Sequence, residues 1–267
     1  MAKSKRLTKT LTAPQMDFLR RLDEEEVHLF TIESDSIQGF VSDMENLNEI
    51  IENLVRKGFI HRLERGKYCR STFRDENVIG TFIVPDGAVA YWSALHLHGL
   101  TEQFANTIFI QTARKKKSVS IFGAVYKFIK VHPQKRTGIV YNGYGNYKYP
   151  ITDIEKTMVD CFDLPQYSGG YAELIRAFYI AELNPKKLIA CCLAVNNIAV
   201  IKRLGFLSEL LHKKKLFTFI EFAQTQINRS YNLFDPFGDN TGETESVWYL
   251  RLNISKEAIL GIVQNRH

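Results

Sequence analysis

The 267-residue sequence has no long hydrophobic run and no apolar N-terminal segment. A membrane-spanning helix needs roughly 18 consecutive apolar residues, and the longest candidate, residues 188–195, is far shorter. The N-terminal segment is basic but lacks the apolar stretch of a secretory signal. We therefore expect no membrane association and a cytoplasmic location.

Cysteine is scarce, and its spacing does not fit a disulfide framework or a structural zinc site. The four cysteines are Cys69, Cys161, Cys191 and Cys192, and none forms a C-x-x-C pair. Structural zinc sites and disulfide frameworks both use regular cysteine spacing. No glycine-rich segment ends in the lysine and hydroxyl residues of a phosphate-binding loop. We expect no disulfide, no metal and no cofactor.

The sequence also lacks the spacing of a metal-dependent nuclease. Such sites place an acid and a lysine two residues apart on one side of a strand. No Asp-x-Lys or Glu-x-Lys occurs in the sequence. The segment with Asp153, Glu155 and Lys156 has suitable residue types, but Glu155 and Lys156 are adjacent and would point to opposite sides of a strand. The sequence therefore predicts a protein that is not an enzyme.

The most informative segment is residues 42–70, which reads as an amphipathic helix followed by a short basic hairpin. Ser42 and Glu45 have capping-box spacing, and Gly58 follows the last apolar pair, where a left-handed C-cap belongs. A turn at 64–66 separates two apolar runs. This order is typical of the recognition helix and wing of a winged helix-turn-helix.

Preceding residues complete the pattern. Residues 14–23 predict a first helix in which Met16, Leu19 and Leu22 share a face and Phe18 flanks it. Residues 29–40 predict a short second helix and a turn at Gly39. We predict a winged helix-turn-helix domain over 1–75 with a basic N-terminal tail, ending near residues 73–80.

The remaining residues, 76–267, predict a larger α+β domain, so the fold class is mixed α/β. Strands come first and helices afterwards, which favours α+β over a doubly wound sheet. Strands are predicted at 107–112, 119–131 (broken near Gly123), 149–152 and 245–254. Helices are predicted at 87–97, 153–162, 170–183, 185–195, 199–212 and the C-terminus. A tyrosine-rich turn is predicted at 141–149.

Charge is distributed unevenly. Residues 1–75 hold thirteen basic and thirteen acidic side chains, whereas residues 76–267 hold twenty-two and sixteen. Asp43, Glu45 and Glu49 make the start of the proposed recognition helix acidic, and carboxylates repel phosphates. Basic residues cluster in the tail, at the hairpin and in two runs, 114–117 and 213–215. The run at 114–117 comprises Arg114, Lys115, Lys116 and Lys117. Each of the two runs fits either a solvated loop or a second nucleic-acid contact.

Four segments together resemble the AbiEi-type antitoxins, the repressor–antitoxin half of a bacterial toxin–antitoxin and phage-defence module. They are LVRKGFIHRLERGKY at 54–68, YWSALHLHGLTEQ at 91–103, IFIQT at 108–112 and DIEKTMVDCFDLPQYSGGYAELIRA at 153–177. They occur in the family's order and cover most of residues 12–180. The last eighty or so residues diverge from the family.

The resemblance implies an N-terminal winged helix that binds inverted repeats in its own promoter. It also implies a C-terminal domain that serves repression and opposes a nucleotidyltransferase toxin. Transferred to this sequence, the DNA contacts are Asn46, Asn48, Asn53, Arg62, Arg65 and Lys67.

A second hypothesis stays open. The neutral charge of residues 1–75 allows a protein-interaction module whose winged helix no longer binds DNA.

Overall fold

The computed structural model describes residues 10–41, 43–103 and 106–264. The basic tail and Ser42 lie outside these residues. Its contacts divide the chain into two compact units, the first comprising residues 1–85 and 143–148 and the second residues 86–142 and 149–267. The domain boundary expected near residues 73–80 falls within the first unit.

The first unit contains four helices and three strands within its described residues. Its helices are α1 (Ala13–Glu24), α2 (Asp35–Gln38), α3 (Met44–Lys57) and α4 (Glu76–Ile83). Its strands are β1 (Leu29–Thr31), β2 (Ile60–Glu64) and β3 (Lys67–Arg70). The strands form an antiparallel sheet in the order β1-β3-β2. Three helices before a hairpin were predicted for this segment, and α1, α2 and α3 precede the hairpin of β2 and β3.

Helices α1 and α3 contribute their apolar faces to the core of this unit. In α1 the core residues are Phe18, Leu19 and Leu22, whereas Met16 is 52% exposed, so the predicted roles of Phe18 and Met16 are reversed. Helix α3 buries its apolar residues at spacings of three and four, as an amphipathic helix does. These residues are Leu47, Ile50, Ile51 and Leu54.

The ends of α3 follow from local chemistry. Asp43 is the N-cap, and its carboxylate accepts a hydrogen bond from the Glu45 amide at 3.2 Å. The predicted capping box began at Ser42, one residue earlier. Gly58 ends the helix with a φ of 79°, as predicted, because that left-handed conformation suits glycine.

Two details of the first unit differ from prediction. Residues 29–31 form strand β1 before the short α2, because Leu29 and Phe30 pair with the hairpin strand β3. Residues 76–83, which overlap the domain boundary predicted at 73–80, form α4, whose N-cap Asp75 accepts from the Val78 amide at 2.9 Å. Both elements are too short for sequence periodicity to identify.

The second unit is built on a six-stranded mixed sheet in the order β6-β7-β5-β4-β9-β8. Its strands are β4 (Ala88–Val89), β5 (Thr107–Thr112), β6 (Val119–Ile121), β7 (Ala124–Lys130), β8 (Ile139–Asn142) and β9 (Tyr149–Thr152). Strands β5 and β7 are parallel, as are β4 and β9, and the other pairs are antiparallel. The predicted strand at 107–112 and the break at Gly123 are confirmed.

Helices of the second unit follow the sheet in sequence, apart from the short α5. They are α5 (Tyr91–Leu97), α6 (Ile154–Asp163), α7 (Tyr171–Ile180), α8 (Pro185–Val195), α9 (Ile198–Leu210), α10 (Phe217–Gln226) and α11 (Lys256–Gln264). Prediction missed α10. Short 3-10 helices of this unit lie at Pro133–Lys135, Pro165–Tyr167 and Lys214–Leu216, whereas the one at Gly145–Tyr147 belongs to the first unit.

A small second sheet replaces the long late strand predicted at 245–254. It contains β10 (Asn232–Leu233), β11 (Glu243–Glu245) and β12 (Leu250–Leu252) in the order β10-β12-β11. Trp248 lies in the turn between β11 and β12 and is fully buried against Gly205 of α9. A Cβ at Gly205 would lie 2.1 Å from the indole ring, so the helix needs glycine there.

The core of the second unit contains a buried polar group. Lys156 and Asp160, one turn apart on α6, form an ion pair with both side chains almost fully buried. Gln111 donates to Asp160 at 2.7 Å and lies 3.4 Å from the Tyr91 hydroxyl. Burial raises the pKa of Asp160 against the opposing charge of Lys156. Each charge compensates the other, which a buried ion requires.

No helix of the described residues has the length and apolar character needed to cross a bilayer.

Candidate nucleic-acid interface

The exposed face of α3 carries an acidic stripe along its centre. Glu45, Glu49 and Glu52 are spaced by four and three residues, so they lie along one line of the helix. All three are exposed, on the side opposite the buried apolar residues. We call these three residues the acidic stripe. A helix inserted with this line towards DNA would bring three carboxylates near phosphates.

The three predicted asparagine contacts flank this stripe and differ in availability. Asn46 is exposed, and its side chain has no hydrogen bond to the described residues. Asn48 donates to the Met44 carbonyl at 3.1 Å, one turn earlier in the same helix. Asn53 is half-buried and accepts a hydrogen bond from Arg56. Asn46 is therefore the asparagine with a free amide.

Two predicted hairpin contacts are available to a ligand. Arg62 on β2 and Arg65 in the turn are both exposed. Neither guanidinium has a hydrogen bond or ion pair to any residue that the structure describes. Gly66 adopts a φ of 75°, which lets the tight turn project Arg65. A free guanidinium can bind a phosphate through two parallel hydrogen bonds.

The third predicted hairpin contact, Lys67, has a structural role in the fold. Its ammonium group pairs with Glu64 at 3.0 Å and donates to the Phe82 carbonyl at 3.3 Å and to the Ile83 carbonyl. These carbonyls belong to the C-terminal turn of α4, where a cation compensates unsatisfied acceptors. This structural role of Lys67 was not predicted, because α4 was not predicted.

The predicted run 114–117 forms the loop between β5 and β6 in the second unit. Arg114, Lys115 and Lys117 are exposed, and Lys116 is half-buried. Arg114 lies 3.9 Å from Asp86, a long contact for a side chain that is 67% exposed. The loop therefore presents several cations to solvent.

Asp86 holds the start of this loop in place. Its carboxylate accepts from the Thr112 hydroxyl at 2.6 Å and from the Ala113 amide at 2.7 Å, and Arg136 lies 3.3 Å away. Burial acts to raise the pKa of Asp86, but these hydrogen bonds and the charge of Arg136 lower it overall. Asp86 is thus an ionised carboxylate that is already neutralised by Arg136.

The second basic run is largely occupied within the protein. Lys213 is half-buried, and its ammonium group donates to the carbonyls of Phe178, Tyr179 and Ala181 at 2.8, 3.0 and 2.6 Å. It thereby caps the C-terminus of α7. Burial lowers the pKa of Lys213 to about 8. Lys215 pairs with Glu182 at 2.6 Å.

The acidic residues and the lysine that suggested a nuclease have structural roles in the fold. Asp153 caps α6 by accepting from the Lys156 amide at 2.9 Å, and Glu155 accepts from the Asn184 amide at 2.7 Å. Lys156 is occupied by the buried pair with Asp160. Across the described ranges, no group of three or more His, Cys, Asp or Glu residues is placed to hold a metal ion.

Two features of the interface were not predicted. Glu52 extends the acidic start of α3 into a stripe of three, a spacing that the helix prediction already contained. Lys130, the last residue of β7, pairs in register with Thr112 of β5 and so lies beside the loop 113–118. Only the strand pairing reveals that neighbour.

Comparison with known proteins establishes the fold. No protein-family model matches the chain, and no curated protein matches it. Among solved structures, the chain is similar to the crystal structure of the RV2827C protein from Mycobacterium tuberculosis, with a TM-score of 0.67 and 12% sequence identity. The match covers 97% of each chain. At that identity the likeness shows a shared mixed α/β fold over nearly the whole length.

Proposed function

We propose that this chain is a DNA-binding transcriptional autorepressor and an antitoxin that opposes a cognate nucleotidyltransferase toxin. The observation that carries the DNA-binding half is the pair of exposed guanidinium groups of Arg62 and Arg65 on the hairpin after α3, which have no partner among the described residues. The order of three helices and a hairpin, with strand order β1-β3-β2, supports a winged helix-turn-helix. The proposal places the protein in the cytoplasm.

In this proposal, α3 reads bases through a flank of the helix. Asn46 is the available amide, and an asparagine can make a bidentate contact to adenine. The hairpin arginines fix the position of the domain through phosphate contacts, which carry no sequence information. The antitoxin half rests on the family resemblance alone, and the proposal includes no enzymatic activity.

The DNA-binding half is tested by measuring affinity for the duplex upstream of the gene and for a shuffled duplex of equal length. We expect salt-sensitive binding that favours the upstream sequence. Arg62→Ala/Arg65→Ala should weaken binding to both duplexes and flatten the dependence of log K on log salt by about two units, roughly 0.9 per phosphate contact.

The matched control is Lys186→Ala/Arg229→Ala, which removes the same charge from two exposed residues of the second unit whose side chains have no described partner. Equal affinity for upstream and shuffled duplexes at low salt would reject sequence-specific repression. The antitoxin half is tested separately by growth rescue in cells that express a neighbouring nucleotidyltransferase. No rescue would reject it.

The acidic stripe favours a second candidate, a protein-interaction module that does not bind DNA. Three aligned carboxylates would attract a basic partner surface and repel a duplex. Co-purification with the neighbouring gene product, in the absence of retained DNA, would favour this candidate. Its loss in Glu45→Gln/Glu49→Gln/Glu52→Gln would locate the contact on α3.

A further inference from the structure

Two parallel strands of the second unit end side by side. Strands β5 and β7 pair in register up to Thr112 and Lys130, and the Val131 amide donates to the Thr112 carbonyl at 2.9 Å. The chain leaves both strands at the same edge of the sheet. We call residues 113–118 and 130–136 the carboxyl edge.

The carboxyl edge is strongly cationic. Its cations, apart from Lys135, are Arg114, Lys115, Lys116, Lys117, Lys130 and Arg136. Lys135 is neutralised by Asp163 at 3.0 Å. Asp86, a second carboxylate at this edge, is bound by Arg136, Thr112 and Ala113. The edge therefore keeps a large positive excess.

Three of these cations are free to bind a ligand. Lys115, Lys117 and Lys130 are exposed, and none has a hydrogen bond or ion pair to another residue in the described ranges. Lys115 and Lys117 lie on the loop that follows β5, and Lys130 ends the neighbouring strand β7, so the three lysines belong to one edge of the sheet rather than to a linear run. Sequence alone separates Lys117 from Lys130 by thirteen positions.

We propose that the carboxyl edge binds the phosphate backbone of duplex nucleic acid without regard to sequence. Ammonium groups act as point charges for phosphate, and phosphate contacts carry no base information. No large hydrophobic side chain on these two segments is exposed. A protein partner usually needs such groups for the core of its interface, whereas nucleic-acid interfaces are polar and positively charged.

This inference rests on the proposed function in taking a duplex as the ligand, but it does not require operator recognition. The test compares the full chain with Lys115→Gln/Lys117→Gln/Lys130→Gln, binding a shuffled duplex over a range of salt concentrations. The matched control is Lys186→Gln/Lys214→Gln/Lys256→Gln, which removes the same charge from three exposed lysines elsewhere in the second unit.

We expect the edge variant to bind the shuffled duplex more weakly, with a log K–log salt slope reduced by about two to three units. The control should change that slope by less than about one unit. Equal slopes for the two variants would overturn the inference. It would also be overturned if polyglutamate displaced the duplex from the wild-type edge at equal charge concentration, because an acidic protein would then be the better ligand.

The two proposals fail in different ways. Sequence-specific repression fails if the upstream duplex is bound no better than the shuffled one. The carboxyl edge fails on the shuffled duplex alone, whatever the preference for the upstream sequence.

Discussion

Individual lysines of this protein have the same chemistry but different roles. Lys67 and Lys213 donate to carbonyls at the ends of helices α4 and α7. Lys202 is buried in α9 and donates to Asn228 and Asn232 at 2.8 and 3.0 Å. Lys115 and Lys130 are exposed and have no described partner. A lysine is therefore a candidate ligand contact only where the fold leaves its ammonium group free.

Lys67→Ala should reduce stability more than a typical exposed substitution does. The change removes the pair with Glu64 and the hydrogen bonds to the end of α4. A hydrogen bond that involves a charged group contributes about 1.5–3 kcal/mol to stability. We therefore expect Lys67→Ala to lower the free energy of unfolding by about 1–3 kcal/mol. Urea denaturation of the wild type and the variant measures this difference in the free energy of unfolding.

Arg65→Ala provides the comparison, because Arg65 lies two residues before Lys67 in the same hairpin and is exposed. It should leave the unfolding midpoint unchanged and flatten the salt dependence of DNA binding. If Lys67→Ala left stability intact and reduced DNA affinity as much as Arg65→Ala does, the structural role of Lys67 would be wrong.

At the scale of elements, α3 combines a strong apolar face with an exposed face of the wrong charge for a simple DNA reader. Its buried residues fix which side faces the core, and the acidic stripe then lies at the centre of the exposed side. The hairpin supplies the free arginines. The carboxylates of α3 would therefore repel the phosphates of a duplex, whereas the arginines of the hairpin would attract them.

Neutralising the acidic stripe tests how α3 meets DNA. If a flank of α3 lies in the major groove, Glu45→Gln/Glu49→Gln/Glu52→Gln should tighten DNA binding several-fold, because carboxylates near phosphates repel. The gain should shrink as salt rises and screens the repulsion. Fluorescence anisotropy with the upstream duplex measures the change.

The control for bulk charge is Glu33→Gln/Glu102→Gln/Glu221→Gln, three exposed glutamates away from α3. Equal gains in the stripe variant and the control would mean that only net charge matters. Weaker DNA binding in the stripe variant would indicate that these carboxylates accept hydrogen bonds from bases.

At the scale of the whole molecule, four buried thiols couple stability to alkaline pH. Burial raises the pKa of Cys69 to about 11 and that of Cys191 to about 12. Burial likewise raises the pKa values of Cys161 and Cys192 above their ordinary range. The unfolded chain loses these protons near the ordinary thiol pKa of roughly 8.5, whereas the folded chain retains them.

The sign follows from proton binding. Above about pH 9 the folded state binds more protons, so the free energy of unfolding should fall as pH rises. Each thiol contributes a slope of up to about 1.4 kcal/mol per pH unit. Lys213 acts in the opposite direction, because its pKa is lowered to about 8 in the folded state. Its contribution to stability rises with pH above that value.

Urea denaturation between pH 7 and 10 in the presence of a reductant measures this dependence. Cys192→Ala should flatten the decline above pH 9, whereas replacing an exposed serine such as Ser118 by alanine should not. A free energy of unfolding that rose steadily through pH 10 would contradict the sign.

The sequence by itself determined the elements with strong local signals. The apolar spacing of α3, the glycine at position 58 and the β-branched run 107–112 predicted these elements, because their hydrophobic pattern and end residues agree. It also determined the mixed α/β class, because strand patterns precede helix patterns. Elements of three or four residues, such as β1 and α2, carry too little periodicity to be separated.

Only the tertiary structure decided which charged residues are available. Arg62 and Lys67 look alike in the sequence, but Lys67 binds the end of α4, whereas Arg62 is exposed and has no described partner. Register between β5 and β7 brings Lys130 beside the loop that contains Lys115. Charge availability depends on neighbours distant in sequence, whereas helix and strand patterns depend on neighbours a few residues apart. That difference in range is why the sequence predicted elements more reliably than the interface.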